Sequence, residues 1–270
     1  MRKEEIKLYG QRNSGTNYIR QLIRRNLDVH FVPGTPPEWS SILANYFLYA
    51  SRLIGWERAW HVDFANLYFY LSEKENLGWK HRLVDVEQID GRRASEVLFV
   101  TVTKNPYAWL LSTYRRPYGI GDLSNRDHLE AFIRQKCKNV RYKEGGWMVK
   151  QFESPVEIWN RKNRTYLDLA DSFKVFNVKY ENVLLNTREV IEEMSDTYGL
   201  STKDESFSNV RASTKDDEKD LAFYRQYYGN RKWRRDLSRE VVEFVNENVD
   251  EGVVQAFGYE LIEPSMIERK

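Results

Sequence analysis

The sequence has little of what several classes of protein require. A single cysteine, Cys137, in 270 residues excludes a disulfide framework and a cysteine zinc site, and it fits a reducing compartment. The four histidines show no short metal-ligand spacing, so we expect no metal. With 42 basic and 40 acidic residues the net charge is only +2, which argues against a nucleic-acid partner. No run of about 18 apolar residues and no signal-peptide core are present. We therefore expect a cytoplasmic protein without a transmembrane segment.

The first motif is a glycine-rich turn behind a short apolar strand. Residues 6–9 (IKLY) precede Gly10, and four residues separate Gly10 from Gly15. This spacing is close to that of a Walker A loop, but Thr16 stands where that loop has its lysine. Glycines around small polar residues let successive N–H groups turn inward beside a helix N-terminus, which suits a phosphate or sulfate. A purely structural turn uses the same residues, so the motif alone leaves both interpretations open.

Residues 77–81 predict a second, short strand that ends in Lys80 and His81. Ligands of parallel α/β sheets bind at the carboxyl ends of the strands, so both side chains are expected to face the same crevice as the Gly10 loop. A lysine and a histidine at a strand end are also common on ordinary surfaces.

Residues 96–104 predict the central strand, because they form a continuous apolar and β-branched run. Asn105 and Pro106 then form a typical helix start, with a capping side chain followed by proline in the first turn. Lys104 ends the strand, and Ser112 follows it by eight residues on the helix. Without a further signal, the two would be a strand-end cation and a solvent-facing serine.

The remaining pattern predicts an α/β fold in which a parallel sheet is flanked by helices. Helical periodicity is found at about 16–27, 38–60, 129–138, 154–170, 186–200 and 238–249, and residues 174–181 predict another strand. We expect one domain over residues 1–270 with a helical insertion at about 34–75. The helix in that insertion is interpreted as packing on the core, with a substrate lid or a membrane-surface helix as the alternative.

A basic segment near the C-terminal end carries five cations and no acid. It spans residues 225–235 (RQYYGNRKWRR) and interleaves the cations with aromatic side chains. A solvated charge run is the ordinary explanation, and a phosphate clamp is the functional one.

The order of these motifs resembles the sulfotransferase family that uses 3′-phosphoadenosine 5′-phosphosulfate (PAPS), with its P-loop NTPase-like fold. Residues 12–18 (RNSGTNY) resemble that family's 5′-phosphosulfate loop. Residues 104–106 (KNP) with Ser112 resemble its 3′-phosphate motif. Residues 180–182 (YEN) and 257–259 (FGY) are similar to two later motifs of the family.

The resemblance implies a role for each site residue. The 5′-phosphosulfate loop would comprise Arg12, Asn13, Ser14, Gly15, Thr16 and Asn17. The 3′-phosphate would be bound by Lys104 and Ser112, with Arg231 or Lys232 closing over it. Asn13 stands where the family has a lysine that stabilises the leaving group, so Arg12, or alternatively Lys80, is expected to supply that cation. His81 is the candidate base.

The implied activity is transfer of a sulfuryl group from PAPS to a hydroxyl or amine of a small-molecule or glycan acceptor, with adenosine 3′,5′-bisphosphate as the product and no metal. Two other classes remain open. A P-loop-type kinase would share the strand-loop-helix start and would use ATP with Mg²⁺. A non-catalytic module that binds an anion or a glycan would need only the loop and the basic aromatic segment.

Overall fold

The computed structural model describes residues 3–35, 72–117, 127–137, 151–204, 206–210 and 219–267. The helix predicted at 38–60, and most of the insertion predicted at 34–75, lie outside these ranges.

Four strands form one parallel sheet. They are β1 (Glu5–Gly10), β2 (His30–Phe31), β3 (Val97–Thr103) and β4 (Val175–Lys179), in the spatial order β2-β1-β3-β4. In the register of the sheet, Gly10 lies opposite Val102, and Thr103 lies opposite Lys179. The carboxyl ends of β1, β3 and β4 therefore meet at one edge, and the α/β prediction with a parallel sheet is confirmed.

Helices flank the sheet in the described ranges. They are α1 (Thr16–Asn26), α2 (Glu73–Asn76), α3 (Gly91–Ser95), α4 (Pro106–Arg115), α5 (Leu129–Arg134), α6 (Pro155–Ala170), α7 (Tyr180–Leu185), α8 (Thr187–Tyr198), α9 (Leu221–Tyr224), α10 (Arg239–Asn248) and α11 (Glu251–Ala256). A π-helical turn (Arg225–Gly229) and two 3₁₀ turns (Lys232–Asp236 and Pro264–Met266) complete the described elements.

The sheet separates two apolar clusters, because side chains alternate between its faces. Ile6 and Leu8 of β1 belong to a cluster that includes apolar residues of α1 and α8. Tyr9 and Phe99 stack at 5.8 Å in the other cluster, with apolar residues of α4 and α6. All seven residues of β3 are buried, as expected for a strand covered on both sides.

The prediction of a strand at residues 77–81 is wrong. Leu77 has φ 58° and Gly78 has φ 80°, and this left-handed region is incompatible with an extended strand. The segment is a turn, and the neighbour of β1 is instead the two-residue β2, which is too short to leave a periodic pattern. The turn still passes the end of β1, because the N–H of Gly10 donates to the carbonyl of Lys80 at 2.9 Å.

Local capping explains why the predicted helices begin where they do. The side chain of Asn105 accepts a hydrogen bond from the N–H of Ala108, directly after β3. Ser154 caps α6 in the same way by accepting from the N–H of Glu157 at 3.3 Å. The first cap holds the start of α4 at the sheet edge where the candidate site lies.

Candidate functional site

The loop after β1 is built on two residues in the left-handed conformation. Asn13 has φ 63° and Gly15 has φ 88°, and α1 begins directly afterwards at Thr16. A Cβ atom on Gly15 would lie 2.3 Å from the ring of Tyr180, so only glycine fits. The buried Ser14 hydroxyl donates to the carbonyl of Gln11 at 2.6 Å, which closes the turn. The loop is therefore preorganised beside the positive end of a helix.

Asn13 connects this loop to two other segments of the edge. Its side-chain amide donates to the carbonyl of Arg116, beyond the end of α4, at 2.9 Å. Its own carbonyl accepts from the ammonium of Lys104 at 3.4 Å. The asparagine thus supplies hydrogen bonds that hold the loop, but it carries no charge.

The two candidate leaving-group cations occupy different places. The guanidinium of Arg12 lies 4.7 Å from the ring centroid of Trp79. The ammonium of Lys80 donates to Oδ1 of Asn17, in the first turn of α1, at 2.8 Å. Lys80 therefore brings a positive charge to the first turn of α1, directly after the loop.

His81 is anchored on the last residue of β1. Its Nδ1 lies 2.5 Å from the carbonyl oxygen of Gly10, and its ring packs edge-on against Trp79 at 4.9 Å. His81 keeps part of its surface open, but loss of hydration, then the charge of Lys80 and weaker effects of Arg12 and Lys162, hold its pKa well below the usual range. The imidazole is therefore neutral at pH 7. With the proton on Nδ1, where a carbonyl accepts it, Nε2 keeps its lone pair.

Lys104, which is buried, and Ser112, which is partly buried, form a pair at the end of β3. The Lys104 ammonium is almost fully buried and donates to the Ser112 hydroxyl at 2.8 Å. The Ser112 hydroxyl in turn donates to the carbonyl of Ala108 at 2.8 Å. Burial lowers the pKa of Lys104. The eight-residue spacing thus brings the two side chains into contact at the expected edge of the sheet.

Tyr228, on the π-helical turn, covers this pair. Its ring centroid lies 3.4 Å from the Lys104 ammonium, and its hydroxyl lies 3.0 Å from the Ser112 hydroxyl. Tyr180 lies on another side, with its ring centroid 5.0 Å from the same ammonium. Burial acts to raise the pKa of Tyr228, but the charge of Lys104 and the hydrogen bonds around it lower that pKa overall. Sequence reasoning missed Tyr228, and its only signal was an aromatic residue in the basic segment.

Glu181, from the predicted Tyr-Glu-Asn motif, lies in the first turn of α7 rather than at the end of a strand. Its carboxylate accepts from the N–H of Asn105 at 2.9 Å and from the hydroxyl of Tyr259 at 3.0 Å. Burial raises its pKa. Glu181 therefore ties the end of β3 to the C-terminal Phe-Gly-Tyr segment, which gives both motifs a structural role.

Arg231 and Lys232 lie on the exposed surface. The Arg231 guanidinium pairs with Glu260 at 3.4 Å, and the Lys232 ammonium donates to the side chain of Gln226 at 2.8 Å. Within the described residues, no hydrogen bond joins either cation to Lys104 or Ser112. Arg115, which sequence reasoning treated only as a helix-end cation, bonds to the hydroxyl of Tyr227 at 2.5 Å, next to the covering tyrosine.

Residues 93–253 match the model of a family described as the sulfotransferase domain. The match covers more than half of the 270 residues and includes Lys104, Ser112 and Tyr228, whereas the Gly10 loop and His81 precede it. A comparison with curated proteins found no match.

None of the helices in the described ranges is long and apolar enough to cross a bilayer. In the same part of the chain, no group of three or more His, Cys, Asp or Glu side chains is arranged to hold a metal ion.

Proposed function

The chain belongs to the family of sulfotransferase domains, and on that premise we propose that it transfers a sulfuryl group from PAPS to a hydroxyl or amine of a small-molecule acceptor. The observation that carries this proposal is the hydrogen-bonded Lys104–Ser112 pair, which lies at the same sheet edge as the Gly10 loop. A cation with a hydroxyl partner suits the 3′-phosphate of the adenosine, and the loop suits its 5′-phosphosulfate.

The Lys104–Ser112 pair would bind the 3′-phosphate. Both side chains are N–H or O–H donors, and their ends lie 2.8 Å apart. Because Tyr228 covers the ammonium, a phosphate reaches these donors only by replacing the contact of the tyrosine hydroxyl with Ser112. Ser112 donates its one proton to the Ala108 carbonyl, so it would turn that proton to the phosphate, which as a dianion is the stronger acceptor.

The loop of residues 12–17 would hold the 5′-phosphosulfate through its backbone N–H groups and the hydroxyl of Thr16. Lys80 replaces the lysine missing at Asn13, because its ammonium contacts Asn17 in the first turn of α1. Arg12, which the sequence favoured for this role, packs its guanidinium on Trp79 and would add to the positive potential. Both cations favour the negative charge that develops on a departing phosphate.

His81 would act as the base. The PAPS donor supplies an activated SO3 group; the acceptor oxygen or nitrogen bonds to sulfur as the bond from sulfur to the phosphate oxygen breaks. Nε2 of His81 accepts the proton that the acceptor loses. Lys80 stabilises the negative charge that the phosphate gains as it leaves with the electron pair of the broken bond. The carbonyl of Gly10 keeps the other ring nitrogen protonated, which orients the lone pair of Nε2.

Calorimetric titration with adenosine 3′,5′-bisphosphate tests the proposal. We expect binding without metal, weakened roughly 10–100-fold by Lys104→Ala or Ser112→Ala, which remove charge-assisted hydrogen bonds. The matched control is Lys179→Ala, which removes a lysine from the end of the neighbouring strand β4, where it donates to the carbonyl of Gly258.

ADP and ATP, each with and without Mg²⁺, complete the titration. Binding of ATP only with Mg²⁺ would favour a kinase. Binding of the bisphosphate, without sulfuryl transfer to any of a panel of alcohols, amines and sugars, would favour a binding module. No binding of any nucleotide would make the loop structural and overturn the assignment.

A further inference from the structure

The backbone of His81 is held by a second buried lysine. Lys162 lies on α6, is almost fully buried, and donates from its ammonium to the carbonyl of His81 at 2.7 Å. Two other site segments are bound by the same helix. The side-chain amide of Gln11 donates to the carbonyl of Trp159 at 3.2 Å, and the indole of Trp159 donates to the carbonyl of Lys104 at 2.8 Å. The helix α6 thus contacts the segments after β1 and β3 and the turn that carries His81.

We propose that Lys162 is a positioning residue for the reaction, because its ammonium binds the His81 carbonyl and so holds the imidazole against the end of β1. The inference rests on the proposed function, in which His81 is the base.

A lysine at the other end of the turn supports this role. Lys7 of β1 is fully buried, and its ammonium donates to the carbonyls of Pro33 (2.8 Å), Asn76 and Gly78. Three carbonyls match the three donors of an ammonium. The turn that carries Lys80 and His81 is therefore bound at its beginning by Lys7 and at its end by Lys162.

Burying an ammonium group only to fill space is energetically unfavourable. Removing it from water costs several kcal/mol, whereas a methionine of similar length packs without that cost. What the ammonium adds is a directed hydrogen bond to one carbonyl and a positive charge near the imidazole. The hydrogen bond from Lys162 fixes the main chain of His81. The carbonyl oxygen of Gly10, 2.5 Å from Nδ1, fixes its ring. Together the two contacts leave the imidazole little freedom to turn.

The test compares Lys162→Met with Arg161→Met. Arg161 is the preceding cation on α6, is half-exposed and pairs with Glu157, so its loss leaves the His81 contact in place. In Lys162→Met we expect bisphosphate affinity to stay within about twofold and turnover to fall on the order of 100-fold, the cost of misplacing a catalytic group by about 1 Å. Arg161→Met should match the wild type in both.

Nitrogen-15 NMR of the His81 ring, assigned with His81→Asn, supplies a readout that does not depend on activity. Burial and the charges of Lys80, Arg12 and Lys162 lower the pKa of His81, so loss of Lys162 should raise that pKa. Loss of the contact with the His81 carbonyl should also weaken the Gly10 hydrogen bond and shift the neutral ring from the Nδ1-protonated towards the Nε2-protonated tautomer. Lys162→Gln, which keeps an N–H donor without the charge, should give a smaller loss of turnover and serves if the methionine variant does not fold.

An unchanged His81 spectrum and unchanged turnover in Lys162→Met would overturn the inference. An equal loss of bisphosphate binding and turnover would make Lys162 a structural residue. Failure of the proposed function would appear separately, as a wild-type protein that neither binds the bisphosphate nor transfers sulfuryl. The His81 spectrum would then still decide whether Lys162 fixes the ring.

Discussion

The indole N–H of Trp159, on α6, donates a hydrogen bond to the carbonyl oxygen of Lys104 over 2.8 Å. Both groups are buried, so this bond satisfies the last carbonyl before the turn into α4 and fixes the direction in which the Lys104 side chain leaves the strand. The position of the candidate phosphate-binding cation thus depends on a helix 55 residues further along the chain.

Replacing Trp159 by phenylalanine should destabilise the protein by about 1–3 kcal/mol through the unsatisfied carbonyl, in addition to the smaller packed volume. Bisphosphate affinity should fall as well, because Lys104 loses its support. Urea denaturation and calorimetric titration measure the two effects. The matched control is Trp233→Phe, since the buried indole nitrogen of Trp233 has no acceptor among the described residues. Equal effects of the two substitutions would mean that the hydrogen bond contributes nothing.

Replacing Gly15 by alanine should be severely destabilising and should abolish bisphosphate binding. The new Cβ would lie 2.3 Å from the Tyr180 ring, and the backbone at φ 88° adds strain. Gly199→Ala is the control, because Gly199 has φ 63° but nothing within 4 Å of its Cβ position. That variant should lose only the strain term of about 1–2 kcal/mol. A Gly15→Ala protein no less stable than Gly199→Ala would show that Tyr180 moves aside easily.

Replacing Tyr228 by phenylalanine should tighten bisphosphate binding about 2–10-fold. The substitution removes the hydroxyl that competes for Ser112 at 3.0 Å, and one hydrogen bond contributes about 0.5–1.5 kcal/mol. Titration calorimetry decides the sign, with ADP as the control ligand, whose affinity should not change. Weaker binding would identify Tyr228 as a ligand of the phosphate instead of a competitor.

Turnover should be level through neutral pH and fall only on the acid side of the ordinary histidine pKa of about 6.5. Burial and the neighbouring cations depress the pKa of His81, so the imidazole stays neutral and able to accept a proton. His81→Ala should lower turnover on the order of 10²–10⁴-fold and leave bisphosphate affinity nearly intact. A rate that falls as pH drops from 8 to about 7 would contradict the depressed pKa.

The free energy of unfolding should also depend on pH through His81. Below about pH 6.5 the unfolded chain takes up a proton at this position that the folded protein resists, so the free energy of unfolding decreases as pH falls. Above that pH the contribution of His81 is complete. Comparing denaturant midpoints of the wild type and His81→Asn across this range isolates the effect, because the asparagine does not titrate.

Much of the site follows from local sequence. The Gly10–Gly15 spacing, the apolar β3 and the Asn105-Pro106 helix start each depend on a few neighbouring residues, so their backbone preferences can be predicted. The eight-residue interval from Lys104 to Ser112 joins the end of a strand to the second turn of a helix. Two residues at that interval lie within reach of each other, and their side chains meet at 2.8 Å.

Only the tertiary structure decided how these pieces are held and covered. The turn of residues 77–81 depends on buried contacts with Lys7 and Lys162, so its own apolar residues predicted a strand where a left-handed backbone exists. The cover over Lys104 comes from Tyr228, more than a hundred residues away, whereas the neighbouring Arg231 and Lys232 face solvent. The sequence by itself determined the fold class and the loop, since hydrophobic patterning and glycine spacing are local signals, and the family resemblance implied the pairing of Lys104 with Ser112. Long-range packing of α6 and the π-helical turn determined their accessibility, orientation and charge state, because burial and distant partners leave no local signal.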